Sequence, residues 1–301
     1  MSMRVATFAS TGSLLTAALR VQAEEAKITT QQSSKLVSSD YGGYGSSSGR
    51  VVDLDASITR SKAYAAAATT ADNRVTQMYS AVDSMVDLIT NFKSDLISFD
   101  VAVSDDGTAT LAEEAADALE SLSSLLNSRW DGRYLFAGSA VDTAPVDTDA
   151  LTAQTAPSSA DTSYYQGDDT IVSVKVGAER TVSYGVTADE DAFEAAIRAL
   201  TMIAAGTADE DTLSEASELL DTAIDGMAAI QSGLSRDASD LETAVSDQED
   251  YQDFASSLVS EVTEVDIAEA AAKLSTYQAQ LEAAYAAIGK IQSLSLSSYL
   301  D

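Results

Sequence analysis

The chain has 301 residues, 45% hydrophobic but only 6% aromatic, with a formal net charge of -31. That charge repels nucleic acid and anionic membranes, so neither is expected as a partner, and solubility or a salty medium accounts for it. With no Cys and no His, thiolate chemistry, disulfides, soft metal ligands and the usual general base are excluded.

The two prolines, Pro145 and Pro157, leave everything outside their window free to be uninterrupted helix. Much of the apolar content is Ala, which suits closely packed long helices better than a broad core. No stretch reaches the ~18–20 apolar residues of a membrane span, and no secretory signal pattern is visible. The expectation is a cytosolic chain, or one exported without a cleaved signal.

Residues 3–38 read as an amphipathic helix with a seam at Phe8, Gly12, Leu15, Leu19, Gln22, Ala26, Thr29, Ser33 and Leu36. Its polar members make it marginal alone. A Gly/Ser loop, "SSDYGGYGSSSGR", follows. Residues 51–100 carry a stronger pattern, Val75, Met78, Val82, Met85, Ile89, Phe92, Leu96 and Phe99, preceded in phase by Tyr64, Ala68 and Ala71. At ~1.5 Å per residue this helix would run roughly 70 Å. "SDDGT" should end it. A third helix should begin at "TLAE", where Thr110 and Glu113 have capping-box spacing, and carry Leu111, Ala115, Ala118, Leu122 and Leu125.

The middle changes character. "RYLFAGS", "TIVSVKV" and "RTVSYGV" are rich in β-branched and aromatic residues, and "GAE" between the last two reads as a hairpin turn. Helices resume after two copies of "TADED", at Thr187 and Thr207, each an N-cap region with acidic residues favoured by the helix dipole. From Leu213 to Val265 one seam runs on, broken only by Asp237 and Gln248. Its phase then slips: Ile267 restarts a terminal seam through Ala270, Leu274, Tyr277, Leu281, Ala284, Ile288 and Ile291. The slip marks a boundary. The layout is palindromic, so the C-terminal seam is expected to pair with residues 3–38 and with copies from neighbouring subunits.

Catalytic and ligand signals are weak. "GSSSGR" is Gly-rich but lacks the Lys-Ser/Thr ending of a phosphate loop. The pairs Asp105–Asp106 and Asp168–Asp169 could bind calcium, but lack EF-hand spacing and read better as acidic turns. Trp130 reads as core packing where a helix meets the β segment. The expectation is no enzyme, no cofactor and no metal.

Three stretches carry a family resemblance. "NSRWDGRYLFAGSAVDTAPVD" supplies Asn127, Gly132, Tyr134, Phe136 and Gly138. "YQGDDTIVSVKVGAERTVSYGV" supplies Tyr165, Gly167 and Asp168. "AAAKLSTYQAQLEAAYAAIGKIQSLSLSSYL" is a Ser-Leu-rich terminal helix. Together they resemble the flagellin family of bacterial flagellar proteins, and within it the hook-associated proteins of the hook–filament junction. "SDYGGYGSSSGRVVDLD" departs from the family's Arg and "ADDP"-like stretch.

The resemblance implies a mainly α fold: a long antiparallel coiled-coil or helical-bundle rod with a small β-rich insertion. Its expected parts are an N-terminal polymerisation helix (1–40), rod (41–131), outer β insertion (132–187), rod (188–265) and C-terminal polymerisation helix (266–301). It implies self-assembly into a ring, contact with a neighbouring hook-associated protein and flagellin, an export chaperone and passage through the flagellar type III apparatus. The polymer interface would include Phe8, Leu15, Leu19 and Leu36 with the terminal seam from Ile267 to Ile291. Filament flagellin itself and a secreted adhesin on a helical stalk are the alternatives.

Overall fold

Periodic apolar residues become helices almost everywhere in the computed structural model, which describes the backbone of residues 2–98, 105–206 and 209–300 and the side chains of 11–98, 107–206 and 209–291. The helices are α1 (Ser2–Ser34), α2 (Ser48–Ser98), α3 (Asp105–Leu126), α4 (Asp191–Ala204), α5 (Glu210–Thr263) and α6 (Ile267–Leu300). Two antiparallel hairpins interrupt them: β1 (Arg129–Trp130) with β2 (Arg133–Tyr134), and β3 (Ser173–Lys175) with β4 (Thr181–Ser183). This is the mainly α, flagellin-like architecture the sequence implied. Among the described residues no helix is long and apolar enough to cross a membrane.

The chain divides into two compact units, residues 60–251 and residues 1–59 with 252–301. Both divides fall inside helices, α2 and α5.

In the 60–251 unit the predicted α2 seam is buried from Ala68 through Leu96; Phe99 lies outside the described residues. Polar links set the direction of packing. Ser61 Oγ donates to the Gln248 carbonyl at 2.9 Å, Gln231 Nε2 to Asp83 at 3.0 Å, and Lys93 pairs with Asp221. As numbers rise along α2 they fall along α5, so the two run antiparallel. α4 is buried nearly all round, from Ala192 to Ile203 apart from a few positions. An all-round apolar helix of this kind forms the middle of a core. It packs on α3, whose Leu111, Ala115, Leu122 and Leu126 are buried.

Three local expectations change. α3 starts at Asp105, so "DDGT" forms its first turn and Thr110 lies inside the helix, while Ser104 lies outside the described residues. α1 stops at Ser34, where Lys35 takes φ 61°; Leu36 therefore leaves the helical seam and bridges Glu264. The two "TADED" copies differ. Asp209 caps α5 by accepting from the Thr212 N–H at 2.8 Å, whereas Glu190 before α4 makes no side-chain cap bond.

Candidate functional site: the motif clasp and the terminal helix pair

The two motif stretches meet in space. After α3, Asp131 and Gly132 take φ 51° and 75°, the left-handed pair of a tight hairpin turn, which reverses the chain between β1 and β2. "DG" was the signal for this turn. Asn127 then uses its whole amide: Nδ2 donates to the Val146 carbonyl and Oδ1 accepts from the Val146 N–H, both at 2.9 Å. Val146 in turn bridges Tyr165. Tyr134 lies under Arg129, whose guanidinium carbon is 4.0 Å from the ring centroid and whose Nη2 donates to the phenol oxygen at 2.6 Å. Phe136 is fully buried and meets Phe193 of α4 edge-on, centroids 6.0 Å apart.

Gly138 and Asp168 close the clasp. Gly138 has φ +65°, and a Cβ there would stand 2.0 Å from the Asp168 carbonyl oxygen. Gly167 is as confined, since its Cβ would meet the Tyr165 hydroxyl at 2.4 Å. Only glycine permits both approaches. The Asp168 carboxylate accepts from the Ser139 hydroxyl, the Ser139 N–H at 3.0 Å and the Thr170 N–H at 2.9 Å. These donors, Ser139 first, hold its pKa well below the usual carboxylate range. Its oxygens are thus committed to the loop. Tyr165 donates to the Asp168 carbonyl at 2.8 Å, and burial pushes its phenol above the ordinary value. The other predicted motif residues join this clasp or the core beneath it, except Gly132, which serves the preceding turn, and Tyr134, whose ring stacks with Arg129. Trp130 packs against the same core. The Asp105 and Asp106 side chains lie outside the described ones.

The polar breaks in the α5 seam have a role the sequence did not disclose. Asp237 accepts from the Gly185 N–H at 3.0 Å, and Gln248 Nε2 donates to the Val176 carbonyl at 3.1 Å. Arg180 Nη1 adds an ion pair to Asp247 at 2.9 Å. The breaks therefore seat the backbone of the β3–β4 hairpin on the rod. Burial raises the Asp237 pKa, opposed by the Gly185 N–H. Two further carboxylates strap the loop before the hairpin: Glu215 accepts from the Ser158 N–H at 2.9 Å, and Glu194 from the Asp161 N–H at 2.9 Å.

The terminal unit is simpler. α1 packs along α6, as the palindromic layout implied. Val37 N–H donates to the Thr263 carbonyl at 2.8 Å and Val265 N–H to the Lys35 carbonyl at 2.9 Å, tying the segment after α1 to the one before α6. Asp266 caps α6, accepting from Ala268 N–H at 2.9 Å and Glu269 N–H at 3.1 Å; this cap sits at the phase slip. On α6, Ala270 and Leu281 are buried and Leu274, Tyr277, Ala284, Ile288 and Ile291 half-buried, while Ile267 is exposed. On α1 the covered stripe is Leu14, Ala18, Val21 and Ile28. Leu15 and Leu19, the predicted seam, stay 50% and 57% exposed. One residue is ~100° of helix rotation, and small Ala18 lets α6 approach closely. The Phe8 side chain lies outside the described ones.

A model of the bacterial flagellin C-terminal helical region matches residues 217–300. No curated protein matches the chain. Among solved structures, one described as a flagellar hook-associated protein, from Vibrio parahaemolyticus, is 13% identical and covers 75% of this chain and 99% of its own, with a TM-score of 0.52. FlgL of Xanthomonas campestris is 14% identical, covering 69% and 99%, with a TM-score of 0.44. Flagellar hook-associated protein 3 of Legionella pneumophila is 15% identical, covering 71% and 97%, with a TM-score of 0.45. The first likeness carries the fold, and the family match extends over residues 217–300. Residues 217–300 are thus similar to the flagellin C-terminal helical region, and the chain shares the fold of a flagellar hook-associated protein.

Proposed function

We propose that the chain is a structural subunit of the bacterial flagellum that joins hook to filament, assembling with copies of itself and with a neighbouring hook-associated protein and flagellin. One observation carries this reading. The α1–α6 pair covers one stripe of each helix and leaves Leu15, Leu19 and Tyr285 exposed. Each such side chain gains about 1.5–3 kcal/mol on full burial, and a neighbouring subunit's helices would supply that cover. Passage through the flagellar type III apparatus with an export chaperone, and a place outside the cell, belong to the same proposal.

Electron microscopy of flagella from a deletion strain tests it. Hooks without filaments, with flagellin shed into the medium, are expected. Filaments of normal length on that strain would overturn the junction role. Bare hooks with no flagellin in the medium would identify the chain as the filament subunit instead.

A further inference from the structure

The β1–β2 hairpin carries two arginines to one aspartate in a chain with 48 acidic and 17 basic residues. Arg129, Asp131, Gly132 and Arg133 are exposed, and Trp130 and Tyr134 are half-buried. The Arg129 guanidinium is held by its stack on Tyr134 and its bond to the phenol oxygen, so its remaining N–H groups are offered with little further loss of side-chain freedom. Among the described residues the ion pairs involve Lys93, Arg180, Arg198 and Lys273, and neither Arg129 nor Arg133 is in one.

α5 supplies the opposite charge. From Glu210 to Asp250 its only basic residue is Arg236. Glu218 and Asp225 are exposed about two turns apart, as are Glu242 and Glu249. Among the described residues none of these four is in an ion pair either, whereas Asp221 and Asp247 already hold Lys93 and Arg180. Hairpin and helix share the 60–251 unit, yet one chain does not join these arginines to these carboxylates. Each copy therefore presents both halves of a complementary pair that it does not close by itself. Guanidinium forks match carboxylates in shape as well as charge, and Arg, Trp and Tyr are the residue types that dominate interface energies. Copies with a net charge of -31 repel at a distance, so a local positive tip gives two such surfaces a place to meet and fixes their register.

We propose that the β1–β2 hairpin of one copy docks Arg129 and Arg133 on the acidic face of α5 of a neighbouring copy. The contact joins two different patches, so repeating it around an axis closes a ring. It rests on the self-assembly proposed above and names the surfaces that would meet.

The chain has no Cys, so introduced thiols report on this contact alone. In a deletion strain, Arg133→Cys is co-expressed with Glu218→Cys, Asp225→Cys, Glu242→Cys or Glu249→Cys, one pair at a time, and the flagella are oxidised. A covalent dimer is expected with at least one of the four α5 positions and not with Arg133→Cys alone. Dimers from Arg133→Cys alone, or none from any pair, would overturn the proposal. Arg133→Glu removes no described hydrogen bond or ion pair, and should lower filament-bearing cells roughly tenfold. Lys at the cross-linking α5 position should restore them. Normal filaments with Arg133→Glu on a strain whose deletion leaves bare hooks would overturn the contact while the junction role stands. Filaments on the deletion strain itself would remove the junction role. The same cross-linking on the concentrated purified chain then decides the contact: a mixed dimer supports it, and its absence overturns it.

Discussion

The 60–251 unit and the terminal unit use the same raw material differently. In the first, apolar residues of α2, α3, α4 and α5 share one continuous cluster that runs from Ala68 to Ala244, with Met85, Ile89, Phe193 and Leu220 wholly enclosed. In the second, α1 and α6 meet along single stripes, with Ala18, Ile28, Ala270 and Leu281 buried. Two helices can each cover only one face of the other, whereas four can enclose a core. The first unit therefore encloses its own core, whereas the second leaves apolar side chains such as Leu15 and Leu19 uncovered.

The largest expected effect breaks the enclosed core. Phe136→Ala removes a fully buried ring and its edge contact with Phe193, and should destabilise the 60–251 unit by about 3–5 kcal/mol in urea unfolding. A loss below roughly 1 kcal/mol, the scale of a surface change, would mean the core is looser than described. Gly138→Ala comes next. Its Cβ would collide with the Asp168 carbonyl, so the clasp must open, at about 1–3 kcal/mol. Amide exchange should quicken at Ser139 and Thr170 while the helices keep their protection.

Acid sharpens the comparison. Asp168 is depressed in the folded chain, so its contribution is present above the unfolded value, about 3.9, and is lost as pH falls through the folded value. Asp168→Asn should lower stability at neutral pH and flatten the acid limb below pH ~4, so that variant and wild type converge in acid. An identical limb in the variant would show that the donors do not favour the charged form. The smallest effect on monomer melting is expected at the ends, where the change is instead in assembly. Leu281→Asp should expose α1 and α6 to exchange with the melting of 60–251 unchanged. Leu19→Asp should leave even that pairing intact and still prevent filament attachment on cells. Normal attachment with Leu19→Asp would show that the uncovered stripe is not an interface.

Much of this was legible in the residues. The steps of three and four on α2 and α5 named their buried faces almost residue by residue, because a long apolar stripe tolerates only one facing. The hairpin at 170–186 and the break before Ile267 were equally plain. The seam on α1 was not. Leu14–Ala18–Val21 and Leu15–Leu19 are adjacent stripes of comparable apolarity, and periodicity alone does not say which one turns toward the chain's own partner helix. The α3 start was misread because Thr110 and Glu113 have cap spacing but lie inside a helix that begins at Asp105.

The sequence by itself determined the helical class, the order of elements and the lack of Cys and His, because these depend on local periodicity, composition and residue type. Only the tertiary structure decided why the motif residues stand where they do. Asn127 finds Val146, Gly138 finds Asp168, and Asp237 and Gln248 turn from flaws in a seam into seats for a hairpin. Those pairings join residues far apart in the chain, and the confinement that demands them exists only once the helices have packed.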